Sequence, residues 1–265
     1  MKPANNLLRE FYPDKNTMIP TIPQIMSSAP DDFTKLANDL YDIGCGTVNW
    51  NIGCPFPMVV KKGQGAGMLC YPDRVASFLE KTVPAIKPKL SIKLRIGLTY
   101  PDEVLHLIPI FNHFPLEELI IHSRTGVQMY EGEVDLDMFE QCLGLSKHRV
   151  VYNGDIDSLE KLEMLSKRFG SVERWMIGRG LIGNPFLAEK IKFNTEKPYD
   201  EKIKIMRAFH DNLFDEHSKI LSGPAHLTNK MKEIWTYMGS FFENGEKIRK
   251  RINKTQHRDN YGCCE

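Results

Sequence analysis

Short runs of β-branched and aliphatic residues alternate along this chain with longer stretches whose apolar positions recur every three or four residues. The short runs predict strands at 21–26, 47–51, 90–95, 118–122, 149–153 and 174–177. The longer stretches predict helices at 31–43, 72–82, 101–114, 135–145, 158–169 and 185–192. Several open on suitable caps, such as Pro30-Asp31-Asp32 before Phe33 and Asp157-Ser158 before Leu159. Strand followed by helix, repeated six times, is the layout of βα units around a parallel sheet. From about residue 199 the strand-like runs stop, and helices are predicted at 201–220, 227–242 and 246–254. The expected fold is therefore α/β, a TIM-type (β/α)8 barrel over residues 1–198, followed by a small all-α domain over 199–265. A closed barrel needs eight units, whereas residues 1–20 are polar and proline-interrupted. The barrel is thus expected to be incomplete at its N-terminus, with a smaller open α/β sheet as the alternative.

Composition narrows the class without changing this layout. Of the 265 residues, 42% are hydrophobic and 26% charged, which suits a globular chain with a sizeable core and excludes disordered and fibrous classes. No apolar run is long enough to cross a bilayer, and Met1-Lys2-Pro3-Ala4-Asn5-Asn6 lacks the apolar stretch of a signal peptide. The expectation is a cytoplasmic protein, without membrane contact, whose six cysteines are thiols. No cysteine pair has metal-type spacing to histidines, so no metal is expected, and the terminal Cys263-Cys264 is assigned no role. The net charge is only +1, yet Lys247 to Arg258 holds six Lys/Arg and no acid. Lys247, Arg251, Lys254 and Arg258 recur at helical spacing and align on one face, either a solvated face or a stripe for nucleic-acid phosphates.

In a parallel βα fold, chemistry gathers where strands end and loops begin. Here the predicted strands end in Pro23-Gln24, Asn51-Ile52-Gly53-Cys54-Pro55, Lys93-Leu94-Arg95-Ile96-Gly97, His122-Ser123-Arg124-Thr125, Asn153-Gly154-Asp155 and Gly178-Arg179-Gly180. Loops are polar in general, so one such ending means little; six on one rim mark a site. The last two suit a phosphate, since barrels often hold one at their final strands with backbone N–H groups, and Arg179 adds a forked donor. The same glycines also serve tight turns.

Two side chains carry sharper expectations. Alternation puts Ser91, Lys93 and Arg95 on one side of a strand and Ile92, Leu94 and Ile96 on the other. A lysine directed into a barrel mouth needs an anionic partner; reduced flavin, negative near N1, is one, and a strand-end carboxylate is the other. Cys54 lies just past a strand in a Gly-Cys-Pro turn, followed by the lysine- and glycine-rich loop 61–67. A cysteine there can act as nucleophile or general acid, with nearby lysines able to depress its pKa. Cys45 and Cys142 read as small buried hydrophobes. His122 alone would mark no site.

Taken together, the five motifs from Asn51-Ile52-Gly53-Cys54-Pro55 to Gly178-Arg179-Gly180, with Leu181-Ile182-Gly183-Asn184-Pro185 after them, resemble the tRNA-dihydrouridine synthases from about Pro20 onward. That family is a flavin barrel followed by a helical tRNA-binding domain. The resemblance implies FMN as cofactor, NADPH as reductant and tRNA as partner, and reduction of uridine to 5,6-dihydrouridine. It implies that Cys54 protonates C5 of the uracil and that Gln24 and Lys93 contact the flavin ring. His122, Asn153, Gly154, Asp155, Gly178 and Arg179 would hold the ribityl chain and phosphate. The family's first two strands have no counterpart here, which again points to a chain lacking two βα units. Ser123 stands where the family more often has glycine or proline. Two other readings remain: a non-catalytic RNA-binding remnant, and a flavin barrel that reduces a small molecule.

Overall fold

The computed structural model describes residues 8, 11, 12 and 19–254; Arg258 and Cys263-Cys264 lie outside the described residues. Six strands form one parallel sheet: β1 (Gln24–Ile25), β2 (Thr47–Ile52), β3 (Lys89–Gly97), β4 (Leu116–Thr125), β5 (Val150–Asn153) and β6 (Arg174–Met176). Their spatial order is their chain order, β1-β2-β3-β4-β5-β6. A doubly wound sheet reverses its order at a switch point, and this one does not. Six strands added successively on the same side is the arrangement of a (β/α)8 barrel, of which six consecutive units are present.

Between the strands run α1 (Pro30–Asp42), α2 (Pro57–Lys61), α3 (Pro72–Thr82), α4 (Glu103–Phe111), α5 (Leu136–Leu145) and α6 (Leu159–Arg168). After β6 come α7 (Arg179–Gly183), α8 (Leu187–Phe193), α9 (Tyr199–Ile220), α10 (Pro224–Met238) and α11 (Gly245–Lys254). The predicted helix at 72–82 is found with those bounds, and most others shift by one to three residues. The strand expected over 21–26 shrinks to two residues, since only Gln24 and Ile25 find partners, Asn49 and Trp50, while Ile22 and Met26 stay exposed. Strands β3 and β4 instead run on to Gly97 and Thr125, so the Lys93–Gly97 and His122–Thr125 motifs lie within strands. The short α2 and α7 were not predicted; five residues are too few to show a helical period.

The chain divides into two compact units, Met1–Gly154 with Phe169–Met176, and Asp155–Arg168 with Ile177–Glu265. All six strands belong to the first. On one side of its sheet Val48, Trp50 and Ile52 are fully buried. Trp50 stacks on Phe78 of α3 with ring centroids 3.9 Å apart, and Phe33 of α1 meets Phe78 edge-on at 5.4 Å. Tyr152 of β5 meets Phe139 of α5 edge-on at 4.8 Å. Each such side chain contributes roughly 1.5–3 kcal/mol by leaving water, so this face holds the sheet to its helices. The opposite face carries the polar residues of the sheet, beside Ile120, Val151 and Met176. Parallel partners point the same way, so register makes one row of Asn51, Lys93, Ile120 and Val151, and the next of Arg95, His122, Asn153 and Met176.

The second unit has its own core, in which Met206, Leu227, Met231, Trp235, Met238 and Ile252 are buried. Trp235 packs against His210 and Phe242 at ring-centroid distances of 5.7 and 5.6 Å. No helix among the described residues is long and apolar enough to cross a membrane.

Candidate active site

The site begins with Asn51, at the end of β2. Its Oδ1 accepts hydrogen bonds from the backbone N–H groups of Gly53 and Cys54, both at 3.0 Å, which closes a tight turn around Cys54. Its Nδ2 donates to Gln24 Oε1 at 2.7 Å. Gln24 Nε2 donates to Asn49 Oδ1 at 2.8 Å, and Asn49 Nδ2 donates to Ser91 Oγ at 2.9 Å. Ser91 ends the chain by donating to the Val48 carbonyl. Orientation of each amide is thereby set by the next, so the Cys54 turn is fixed by four side chains on three strands.

The loop after Cys54 folds back over its own start. Ala66 N–H donates to the Cys54 carbonyl at 2.9 Å, while Ala66, Met68 and Leu69 are buried beneath. Gly65 has φ +54, and a Cβ there would stand 2.5 Å from the Cys54 carbonyl oxygen, so only glycine fits. From the other side, Arg95 donates through Nε to the Gly53 carbonyl at 3.1 Å and through Nη1 to the Thr125 carbonyl at 2.7 Å. Arg95 also lies over the Tyr130 ring, 5.2 Å from its centroid. Cys54 itself is half-buried and free.

Lys93 follows Asn51 in its row and is largely buried. Burial, and then the Arg95 charge, push its ammonium down from the ordinary 10.5 to about 8, while charge on Cys54 acts in the opposite sense. Lys93 and Arg95, both from β3, thus interact electrostatically with Cys54. Among the described residues no carboxylate pairs with Lys93. A buried ammonium without an acid fits an anionic group placed against the polar face of the sheet. Gln24 fits a heteroaromatic edge, since its amide keeps one Nε2 proton and one Oε1 lone pair after its two internal bonds.

In the next row His122 stacks on Tyr130, with Nε2 3.4 Å from Arg124 Nη1. Asn153 donates from Nδ2 to the Met176 carbonyl at 2.8 Å, joining the ends of β5 and β6. Gly154 has φ +151, and a Cβ would press on Val134 and the Tyr152 hydroxyl at 3.0 and 3.1 Å. In the second unit Arg179 Nη2 meets Asp155 Oδ1 at 3.1 Å, and Gly178 caps α7. Asp155 is itself left-handed, with φ +43. The Asp155 carboxylate therefore orients the Arg179 guanidinium.

Gln24, Cys54, Lys93, His122, Asn153 and Gly154 thus fall in the first unit, and Asp155, Gly178 and Arg179 in the second. Sequence reasoning missed the tasks of Asn51, Asn49, Ser91 and Arg95. Alternation had already put Ser91 and Arg95 beside Lys93, which was the available signal. Among the described residues no group of three or more His, Cys, Asp or Glu is placed to hold a metal ion.

Residues 3–262 match the family model described as dihydrouridine synthase. The tRNA-dihydrouridine synthase B of Pasteurella multocida (strain Pm70) is 31% identical over 175 residues, which are 66% of this chain and 52% of that one. The probable tRNA-dihydrouridine synthase 2 of Bacillus subtilis (strain 168) is 29% identical over 245 residues, 91% of this chain and 73% of the relative. Among solved structures, morphinone reductase aligns over 65% of this chain and 51% of its own, with a TM-score of 0.47 and 15% identity. The chain spans about half the length of several of its curated relatives. With a single family model running through nearly every residue, including all the motifs of the polar face, the chain belongs to the dihydrouridine synthase family.

Proposed function

We propose that this chain reduces uridine to 5,6-dihydrouridine in tRNA, with FMN as cofactor and NADPH as reductant. The observation that carries the proposal is the pairing of two fixed groups on one row: Asn51, which holds the Cys54 turn, and Lys93, a buried cation with no acid partner among the described residues. When bound, the flavin supplies the hydride that reaches C6 of the uracil. Cys54 supplies the proton at C5 from its thiol, as general acid. Asn51 fixes the position of Cys54, and Arg95 fastens the Gly53 carbonyl beside it. Lys93 and Gln24 hold the ring of the cofactor by charge and hydrogen bonds.

His122, Asn153, Gly154, Gly178 and Arg179 hold the ribityl chain and phosphate, with Asp155 acting through Arg179. The Gly-x-Gly-x-x-Gly spacing occurs at Gly178-Arg179-Gly180-Leu181-Ile182-Gly183, where the chain enters α7, and Gly178 and Arg179 of that run are the ones assigned to the flavin phosphate. The uridine must be unstacked to reach the sheet face, at a cost of a few kcal/mol, so the surrounding RNA has to be gripped elsewhere. The helices from Tyr199 to Lys254 supply that grip. On α11, Arg249 and Lys250 pair with Glu246, while Lys247 and Lys254 offer cations for RNA.

Purification followed by a single-turnover assay tests the proposal. A yellow protein that forms dihydrouridine in unmodified tRNA when NADPH is added is the expected result. A colourless protein that binds tRNA and forms no product would overturn it in favour of a non-catalytic remnant. A flavoprotein with no tRNA affinity would overturn it in favour of a small-molecule reductase.

A further inference from the structure

The loop that carries Cys54 has a second side. The residues that follow Cys54 border a cavity of about 370 Å³ lined by Lys61, Lys62, Gly63, Cys70, Tyr71 and Arg74, together with Val60, Gly67 and Leu98. Its volume is within the range of small-ligand sites and suits a nucleotide unit. Three of the lining residues are cations and none is an acid. Among the described residues none of the three has an ion-pair partner. The Arg74 guanidinium is spread over the Tyr71 ring, 5.3 Å from its centroid, and lies beside Gly63. A flat cation is thus already presented with an exposed aromatic ring beside it.

Burial, and then the charge of Glu103, raise the thiol of the lining residue Cys70. The Glu103 carboxylate is engaged by the backbone N–H groups of Leu98, Thr99 and Tyr100 at 2.7, 3.1 and 3.0 Å. The cavity therefore keeps its positive character, and Cys70 stays a neutral thiol. Three cations around an aromatic ring are the equipment of a phosphodiester site, in which phosphate meets the ammonium and guanidinium groups and a base can lie on the ring.

We infer that this cavity binds a phosphodiester of the substrate RNA, a nucleotide close to the uridine that meets Cys54. The inference rests on the proposed function and adds to it a specific RNA contact on the first unit. The loop itself supports the assignment. Cavity residues Val60, Gly63 and Gly67 stand in one continuous segment with Gly65, which passes close to the Cys54 carbonyl, and Ala66, whose N–H donates to it. Proton donor and phosphate site thus belong to one segment, so that one RNA strand can engage both.

The test compares the full chain with a Lys61→Ala/Lys62→Ala/Arg74→Ala variant and with the three single variants. Binding of unmodified tRNA is measured across a salt series, together with NADPH-driven reduction of the bound flavin and thermal stability. The triple variant is expected to bind tRNA at least tenfold more weakly at low salt, with a salt slope shallower by about two to three. Flavin reduction by NADPH should be unchanged in rate. Unaltered tRNA affinity and slope in the triple variant, with the parent binding well, would overturn this inference and leave the proposed function standing. Slowed NADPH oxidation with unchanged tRNA affinity would overturn it too, by assigning the cavity to the dinucleotide. A parent chain that fails to bind tRNA at all would overturn the proposed function and this inference together. Should the triple variant melt early, the single variants decide, each expected to lower the slope by about one.

Discussion

Asn51 and Lys93 are register partners on adjacent parallel strands, so the residue that holds the Cys54 turn and the buried cation of the site stand side by side. Neither depends on a loop for its position. Asn51 is anchored on β2 by Gln24, and Lys93 sits inside the nine-residue β3. Groups on strands keep their spacing better than groups on loops, which is what a proton delivery to one face of a ring requires.

Asn51→Ala should separate position from chemistry. It removes the acceptor for two backbone N–H groups and the donor to Gln24. Each half-buried group left unsatisfied costs about 1–3 kcal/mol, so the melting temperature should fall by several degrees. Dihydrouridine formation should drop at least tenfold, while the Cys54 thiol remains present to titration with a thiol reagent. Asn51→Asp should recover part of the loss, because a carboxylate accepts both N–H groups but cannot donate to Gln24. Equal activity of all three proteins would remove Asn51 from the mechanism.

Lys93 gives a pH dependence whose sign is fixed by its environment. Its folded pKa, about 8, lies below the ordinary 10.5, so between these values the unfolded chain holds the extra proton. Stability from this group therefore rises with pH across that interval, and at neutral pH the buried charge costs about 3 kcal/mol. In flavin-free protein, Lys93→Met should raise the melting temperature at pH 7. The gain should fade as pH approaches 10, where the native lysine is neutral. The same variant should bind FMN at least tenfold more weakly, as followed by flavin fluorescence. A stability difference that grows between pH 8 and 10 would show that Lys93 is not a buried unpaired cation.

What the sequence discloses about this site follows from which forces are periodic. Alternation along β3 is a local property, and it placed Ser91, Lys93 and Arg95 on one face correctly, as register with β2 and β4 shows. The chain order of strand and helix likewise suffices for a parallel sheet. The relay from Gln24 through Asn49 to Ser91 is another matter, because its members are 25 and 42 residues apart and their amides carry no periodic signal. The length of β1 was overestimated for a related reason: a strand ends where its partner's backbone groups end, not where its own β-branched residues do. Asp155 could not be recognised as the partner of Arg179 from position alone, since 24 residues separate them.

Gly65 tests the loop without touching any proposed reactive group. Gly65→Ala puts a methyl 2.5 Å from the Cys54 carbonyl oxygen in a left-handed conformation with φ +54. Strain of this kind costs on the order of 1–3 kcal/mol, and its relief displaces the loop against Cys54 and Val59. Loss of several degrees in melting temperature and at least tenfold slower uridine reduction are expected together. Gly144→Ala in α5 is the control, with nothing within 4 Å of the added carbon. It should raise stability by up to about 1 kcal/mol, as alanine replaces glycine in a helix, and leave the assay unchanged. A Gly65 variant as active as the control would mean that the loop does not set the position of Cys54.

The proton donor can be distinguished from a residue that only shapes the pocket, because the reaction has two halves. Reduction of the flavin by NADPH needs no acid beside C5 of the uracil, whereas reduction of the uridine does. Cys54→Ala should therefore leave the first half unchanged and slow the second by roughly 10²–10⁴-fold, the usual contribution of a general acid. Cys54→Ser keeps a hydroxyl on the same turn, held by the same Asn51 bonds, but as a far weaker acid. It should resemble Cys54→Ala at neutral pH in single-turnover oxidation of reduced flavin by tRNA, despite matching the parent in shape. If serine restores the parent rate, the thiol serves only packing and the acid must be sought elsewhere on the polar face. If both variants also lose reduction by NADPH, Cys54 acts on the cofactor site rather than on the substrate carbon.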